Sequence, residues 1–291
     1  GETVESMVER LKKNPSIEFA QPDFLYRKSA TPNDSSYGKL WALKNTGQTM
    51  TADHASQSVY ITENPGIANR DMNLEAAWDK VSDCSGVTVA VVDTGIKLDH
   101  DDLKDNLWSD ANGKHGYDFV NNDSDPSDDE GHGTHVSGTI GARGNNGMGT
   151  VGVCWRVKLM AVKVLDDEGS GYTSDIIDGI DFARGNGANV INMSLGGGSY
   201  DMAFHSALVS ASDAGILTVV AAGNSARNNG TSSTFPCNYS GGSYDVANLI
   251  CVGAVDQIFS LASFSNYSPL YVDIGAPGVN IVSSGLHSWG T

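Results

Sequence analysis

A doubly wound, mostly parallel α/β sheet with helices on both faces is the fold this sequence predicts, and three observations predict it. Apolar runs rich in Val and Ile, at residues 87–92, 157–165, 189–193, 216–222 and 249–255, have the near-continuous hydrophobicity of strands buried on both sides. Segments of helical periodicity, at residues 132–142, 174–184 and 202–214, fall between them. The 291 residues are 40% apolar and 18% charged, enough to bury a core of that size and too apolar for disorder as the main state. Strands alternating with helices are the pattern of parallel strands joined by crossover helices.

Taken in order, the chain opens with residues 4–13, which place Val4, Met7, Val8 and Leu11 on one face of a short helix that Asn14-Pro15 stops. Residues 17–20 and 24–26 read as short strands broken at Pro22. A unit this small does not fold alone and needs another surface to pack on. A polar linker, 27–37, separates it from the α/β pattern. The first apolar strand runs into Val91-Val92-Asp93-Thr94-Gly95, with a carboxylate where the run stops. The first of the later helices opens on Gly131-His132-Gly133-Thr134-His135-Val136-Ser137-Gly138-Thr139, whose small residues let it sit deep against its neighbours. The third strand runs into Asn192-Met193-Ser194-Leu195-Gly196-Gly197, the fourth into Ala221-Ala222-Gly223-Asn224. Residues 279–284 are again strand-like. Loops 113–131 and 226–248 are too polar for core and are candidate carriers of function. There is no internal repeat and no low-complexity tract.

Composition excludes several classes. A net charge of −17 argues against a nucleic-acid partner, whose phosphates need Lys and Arg. No apolar run is long enough to cross a bilayer, and residues 1–14 are too polar for a signal peptide. Acidic residues cluster between Asp99 and Glu130; they form either a solvated face or a calcium site. The cysteines Cys84, Cys154, Cys237 and Cys251 are too few for a disulfide scaffold and lack metal-ligand spacing. Cys154 and Cys251 lie in apolar stretches and read as small buried residues, so cysteine usage leaves the redox compartment open. The sequons at Asn229 and Asn238 decide nothing, because chance matches are frequent.

In open parallel sheets, ligands bind beyond the carboxyl ends of the strands. Asp93 there is either a plain turn residue or a site carboxylate. His132 and His135 could be a metal pair on one helix face, but no third ligand stands near them. Asn224 is a turn former or an amide aimed into a cleft. Gly196-Gly197 exposes a backbone edge for an extended peptide; as a phosphate loop it lacks the required spacing.

Together these strings resemble the subtilisin family of serine proteases over about residues 32–291. The family's chain order is Asp, His, Ser. The resemblance implies that Asp93 orients an imidazole, that His132 rather than His135 is the general base, and that Asn224 is the side-chain donor of the oxyanion hole. It implies two substrate-binding edges, Ser194-Leu195-Gly196 and Gly169-Ser170-Gly171. Ala221, Ala222 and Gly223 would leave room for a large P1 side chain. Thermitase-like members bind calcium on loops that match here. One site would use Asp118 and Asp123, with Asp125 nearby. The other would use Asp34, Asp102 and Asn146, with carbonyls of Arg143, Met148 and Thr150. The alternative for both is that these are polar turn residues.

The resemblance further implies that residues 1–28 are the end of a propeptide, cut between 26 and 31, and that 29–291 is the peptidase domain, incomplete at its C-terminus. The family's nucleophile lies in Gly-Thr-Ser-Met-Ala, whereas this chain ends Ser288-Trp289-Gly290-Thr291, so the expected serine is the next residue. Helices supplied by that continuation would cover one face of the sheet. Ser283 and Ser284 sit where the family has no nucleophile. The expected activity is serine endopeptidase, with calcium as cofactor, protein or peptide substrates and its own propeptide as partners, secretion, and a monomeric state. The competing reading is an inactive peptide-binding or scaffold protein, against which the joint presence of Asp93, His132 and Asn224 speaks. A dinucleotide-binding enzyme fails because no GxGxxG follows the first strand.

Overall fold

The computed structural model describes residues 2–23, 30–50 and 65–286. In chain order its elements are α1 (Val4–Lys12), α2 (Leu74–Trp78), β1 (Asp83–Asp93), β2 (Gly116–Asp118), α3 (His132–Gly141), β3 (Arg156–Lys163), α4 (Thr173–Gly185), β4 (Val190–Met193), α5 (Met202–Asp213), β5 (Leu217–Ala221), β6 (Leu249–Val255) and β7 (Ile274–Pro277). The strands form one seven-stranded sheet in the order β2-β3-β1-β4-β5-β6-β7, and every pairing is parallel.

The apolar runs become central strands because both of their faces are covered. On β1, Ala90 and Val92 point to one side, where they join Met160 and Val162 of β3 under Ile176, Ile180 and Ala183 of α4 and Leu208 of α5. Val89 and Val91 point to the other side, with Leu159 and Ala161, against Val136 and Ile140 of α3. This alternation with a period of two fixes the register, since a one-residue slip would exchange the two cores. On the α3 side the cover is partial. A cleft of about 550 Å³ lies over that face, with Val89, Val190 and Val219 in its floor and Leu40, Val151 and Ile281 among its walls.

Several sequence expectations need correction. Residues 17–20 form no strand; the segment after α1 makes no ladder bonds among the described residues, and residues 24–26 lie outside them. α1 itself forms as expected, capped by Thr3, but buries none of its residues. Residues 279–284 are irregular, and the last strand instead lies just before them, at Ile274–Pro277. Loop 113–131 carries the edge strand β2. Loop 226–248 is not solvated throughout: Asn229, Thr234 and Asn238 are buried, because their amides and hydroxyl bond to one another and to backbone. That also removes Asn229 and Asn238 as surface sequons.

The cysteines are not merely small buried residues. Cys84 is bonded to Cys154 and Cys237 to Cys251. Each pair is separated in sequence by strand or loop, so spacing alone could not show that the fold brings the partners together.

Candidate active site

Asp93 is the last residue of β1 and is 0% exposed. Its Oδ1 accepts a bond from the backbone N–H of Thr94 and lies 2.7 Å from His132 Nδ1. His132 is the first residue of α3, and its side chain is 47% exposed. One partner is therefore desolvated and fixed, while the other reaches solvent. The bond to Asp93 raises the His132 pKa above the usual imidazole value; burial opposes the rise, and the charges of Asp93, Glu130 and Asp128 add to it.

The approach of α3 to β1 depends on a glycine. A Cβ on Gly133 would lie 2.1 Å from the carbonyl oxygen of Gly95, so no larger residue could follow His132 at this distance from Asp93. The first turn of α3 is held by Asp128. Its carboxylate accepts from the N–H of Gly131 and from both the N–H and the hydroxyl of Thr134, and it also accepts from the Thr94 hydroxyl. Burial pushes the Asp128 carboxyl up, but these bonds outweigh it and hold the group below the usual carboxylate range. Thr94 Oγ1 in turn accepts from Gly133 N–H, which closes a network between the residue after Asp93 and the residue after His132.

A buried cation lies behind the pair. Lys163, opposite Asp93 in the β1–β3 register, is 1% exposed. Its Nζ donates to the carbonyls of Thr94 (2.8 Å) and Leu165 (2.9 Å) and to the carboxylate of Asp129 (2.6 Å). The carboxyl end of β1, the exit of β3 and the loop leading to His132 are thus tied to one ammonium group. Sequence reading passed over Lys163, Asp128 and Thr94. The available signal was a lysine deep inside the apolar run 157–165, four residues past the Leu159 that follows Lys158 at its start.

His135 is one turn from the active face. Its Nε2 pairs with the carbonyl of Ile281, and burial lowers its pKa. It makes no contact with Asp93 among the described residues.

The remaining expected residues line the same edge of the sheet, because parallel strands end together. Ser194, Leu195 and Gly196 leave β4, and Ala222, Gly223 and Asn224 leave β5. Ser194, Ala222, Gly223 and Asn224 share a cavity of about 240 Å³, and the Asn224 side chain is exposed. Beyond Gly196, the edge is closed by a bridge between Gly197 and Phe235. Gly169, Ser170 and Gly171 lie exposed in the turn after β3, which Asp166 organises by accepting the N–H groups of Glu168 and Ser170. One exposed segment, 169–171, and a second, 194–196, half-buried at Ser194 and Leu195 and exposed at Gly196, therefore lie beside the ends of the central strands.

The acidic residues divide into two sets. Asp34 and Asp102 are buried and meet on one loop: Asp34 accepts the N–H groups of Asn145 and Asn146, and Asp102 accepts the Asn146 amide and the N–H of Thr150. Burial raises both carboxyl pKa values, and the charge of Asp102 adds to the rise at Asp34. Arg143, whose N–H bonds to Asp102, and Met148 belong to this same loop. Both carboxylates are desolvated, and in this arrangement N–H donors meet their oxygens, the atom type a hard cation prefers.

Asp118, Asp123 and Asp125 behave differently. Asp118 caps the N–H groups of Val120 and Asn121, Asp123 that of Asp125, and Asp125 bonds Ser127. Their oxygens build the turn. Among the described residues, no group of three or more His, Cys, Asp or Glu side chains is arranged to hold a metal.

Residues 84–290 match the model of the Subtilase family. The chain is 40% identical over 282 residues to a thermophilic serine proteinase of Bacillus sp. (strain AK1), which covers 97% of this chain and 60% of that protein. It thus spans less than two thirds of that relative's length. It is 38% identical over 230 residues to thermitase of Thermoactinomyces vulgaris, covering 77% of this chain and 76% of thermitase. Among solved structures it is similar to a cold adapted subtilisin-like serine proteinase, with a TM-score of 0.63 and 33% identity over 84% of this chain and 75% of that one. The parallel sheet, the Asp93–His132 pair at its carboxyl edge and these likenesses agree, and the chain belongs to the Subtilase family.

Proposed function

We propose that this chain is the body of a serine endopeptidase that cleaves peptide bonds through an acyl-enzyme. The observation that carries the reading is the 2.7 Å bond between His132 Nδ1 and the buried carboxylate of Asp93. In neutral His132 that bond places the proton on Nδ1, which leaves Nε2 as the proton acceptor. His132 takes the proton from a serine hydroxyl as the oxygen bonds to the substrate carbonyl carbon, and gives it to the amine as the C–N bond breaks. Asp93 stabilises the imidazolium formed between those steps. Asn224 donates its amide to the oxygen that becomes negative. The nucleophile in this reading is the serine following Thr291 in the source protein.

An extended peptide lies between residues 169–171 and 194–196, held by main-chain hydrogen bonds. Residues 1–28 act as a propeptide remnant, and the unburied apolar face of α1 supports this, since it needs a partner surface. Asp34, Asp102 and Asn146, with the carbonyls of Arg143, Met148 and Thr150, would hold a calcium ion, which would neutralise the two buried carboxylates and stabilise the loop. Secretion fits two disulfides, and among the described residues no helix is long and apolar enough to cross a membrane.

The test is to read the source protein past Thr291 and assay the full-length protein on an unfolded substrate with and without a serine-directed phosphonate. Cleavage that the phosphonate stops, and that His132→Ala but not His135→Ala abolishes, is expected. Another residue at the position after Thr291 would remove the nucleophile and favour a peptide-binding role.

A further inference from the structure

Behind the exposed Asn224 lies a buried amide that is outside the catalytic pair and the substrate edges. Asn266 is 0% exposed. Its Oδ1 accepts the backbone N–H of Ser225 at 2.9 Å and of Arg227 at 3.3 Å. Its Nδ2 donates to the carbonyl of Ala222 at 3.0 Å, and its own backbone N–H donates to the carbonyl of Gly223 at 2.8 Å. Asn224 is therefore flanked on both sides by residues tied to Asn266: Ala222 and Ser225 to its side chain, Gly223 to its backbone N–H.

The packing leaves this clamp little play. Gly223 has φ +105°, and a Cβ there would lie 2.6 Å from Asn266 Nδ2. Asn266 is itself fixed from behind by Asn229 Oδ1 and Thr234 Oγ1, both buried. Asn229 adds a second bond to the Ala222 carbonyl. A buried polar group with every atom bonded is rigid, because any movement leaves a donor or acceptor unpaired. Asn224, by contrast, lines the cavity while the chain on either side of it is tied down.

We infer that Asn266 is a positioning residue that aims the Asn224 amide at the developing oxyanion. This rests on the proposed protease chemistry and deepens it. An oxyanion donor contributes only when its N–H points at the place the charge will occupy, and a misplacement of about 1 Å can cost about 100-fold in rate. The contribution is made in the transition state and not in substrate binding, so its loss appears in kcat and leaves KM in place.

The experiment is a double-mutant cycle in the full-length protein that carries this chain. Asn266→Ala is expected to lower kcat by about 10- to 100-fold with KM little changed. In an Asn224→Ala background the same change is expected to add nothing, because Asn266 acts through Asn224. Asn45→Ala is the control for a general loss of a buried amide: Asn45 is 1% exposed and bonds Arg70 and Gln257. It should lower Tm and leave kcat unchanged. An unaltered kcat in Asn266→Ala, or an equal further loss in the Asn224→Ala background, overturns the inference. An undiminished kcat in Asn224→Ala alone overturns the oxyanion reading beneath it and is told apart by that single variant. Should Asn266→Ala not fold, Asn266→Ser serves in its place. Native-state exchange of the Ser225 amide in the unmodified chain then gives a readout that needs no variant: strong protection is expected, and exchange at the rate of an open loop overturns the clamp.

Discussion

Replacing Lys163 with Met keeps the apolar stem and removes an ammonium group that is 1% exposed. The buried carbonyls of Thr94 and Leu165 lose this donor. An unsatisfied buried acceptor costs about 1–3 kcal/mol, so the two together give about 2–6 kcal/mol. The ion pair with Asp129 is one-sided: Lys163 is buried, but the carboxylate is 49% exposed, so water screens part of the attraction. Relief from burying the charge itself works in the opposite direction and trims the total. The expected loss for Lys163→Met is about 2–5 kcal/mol, a large share of the roughly 5–15 kcal/mol that holds a domain together. Asp129→Asn keeps an amide oxygen that can accept from Nζ and should cost less than Lys163→Met, about 1–3 kcal/mol. Urea unfolding reads both as shifts in midpoint at constant slope. The reasoning fails if Asp129→Asn is as damaging as Lys163→Met, since the ion pair and not the carbonyls would then carry the effect.

Other expectations follow from the same bonds. His132 should titrate above about 6.5 when followed by NMR, and Asp93→Asn should bring it down, because burial then dominates. The sign for stability is that the His132–Asp93 contribution is complete below about pH 6.5 and is lost as pH rises through the raised folded value, whereas general-base activity grows over that same interval. Chelating calcium should lower Tm if the Asp34–Asp102 loop holds the ion, and Asp34→Asn should abolish that response; a Tm indifferent to chelator removes the site. Replacing Cys84 and Cys154 with Ser opens a sequence separation of 70, against 14 for Cys237 and Cys251. Chain-entropy arguments give about 4.4 and about 3 kcal/mol, so the first pair should cost more in calorimetry or urea unfolding.

The sheet and the Asp93–His132 pair were legible because both leave periodic or positional marks. Residues 87–92 could hardly be anything but a buried strand, and Asp93 stood at its end. His132 opened its helix as the glycines around it suggest. What escaped was long-range pairing of polar groups. Nothing near Asn266 in the chain announces that it will lie against Ala222 and Ser225, and nothing near Cys84 announces Cys154. Loop 226–248 misled for the same reason: polarity normally means solvent, yet a set of amides that satisfy one another can be interior. Residues 279–284 have a strand's composition, but their polar groups are taken by side chains and by α3: the carbonyls of Val279 and Ile281 pair with Trp41 and His135, and Ser283 Oγ donates to the His135 carbonyl.

The positions of the disulfides carry one more consequence. Cys84 opens β1 and Cys154 lies just before β3, so this covalent clip is at the amino-terminal rim of the sheet. Cys251 is likewise near the start of β6. The opposite rim, with Asp93, Lys163 and Asn224, carries no disulfide among the described residues and is held by hydrogen bonds, ion pairs and packing. Warming such a body loosens the unclipped rim first, since local openings begin where the fewest constraints must break. The molecule would lose its working geometry while its far end is still folded, and on cooling the stapled rim would be the template on which the other closes again.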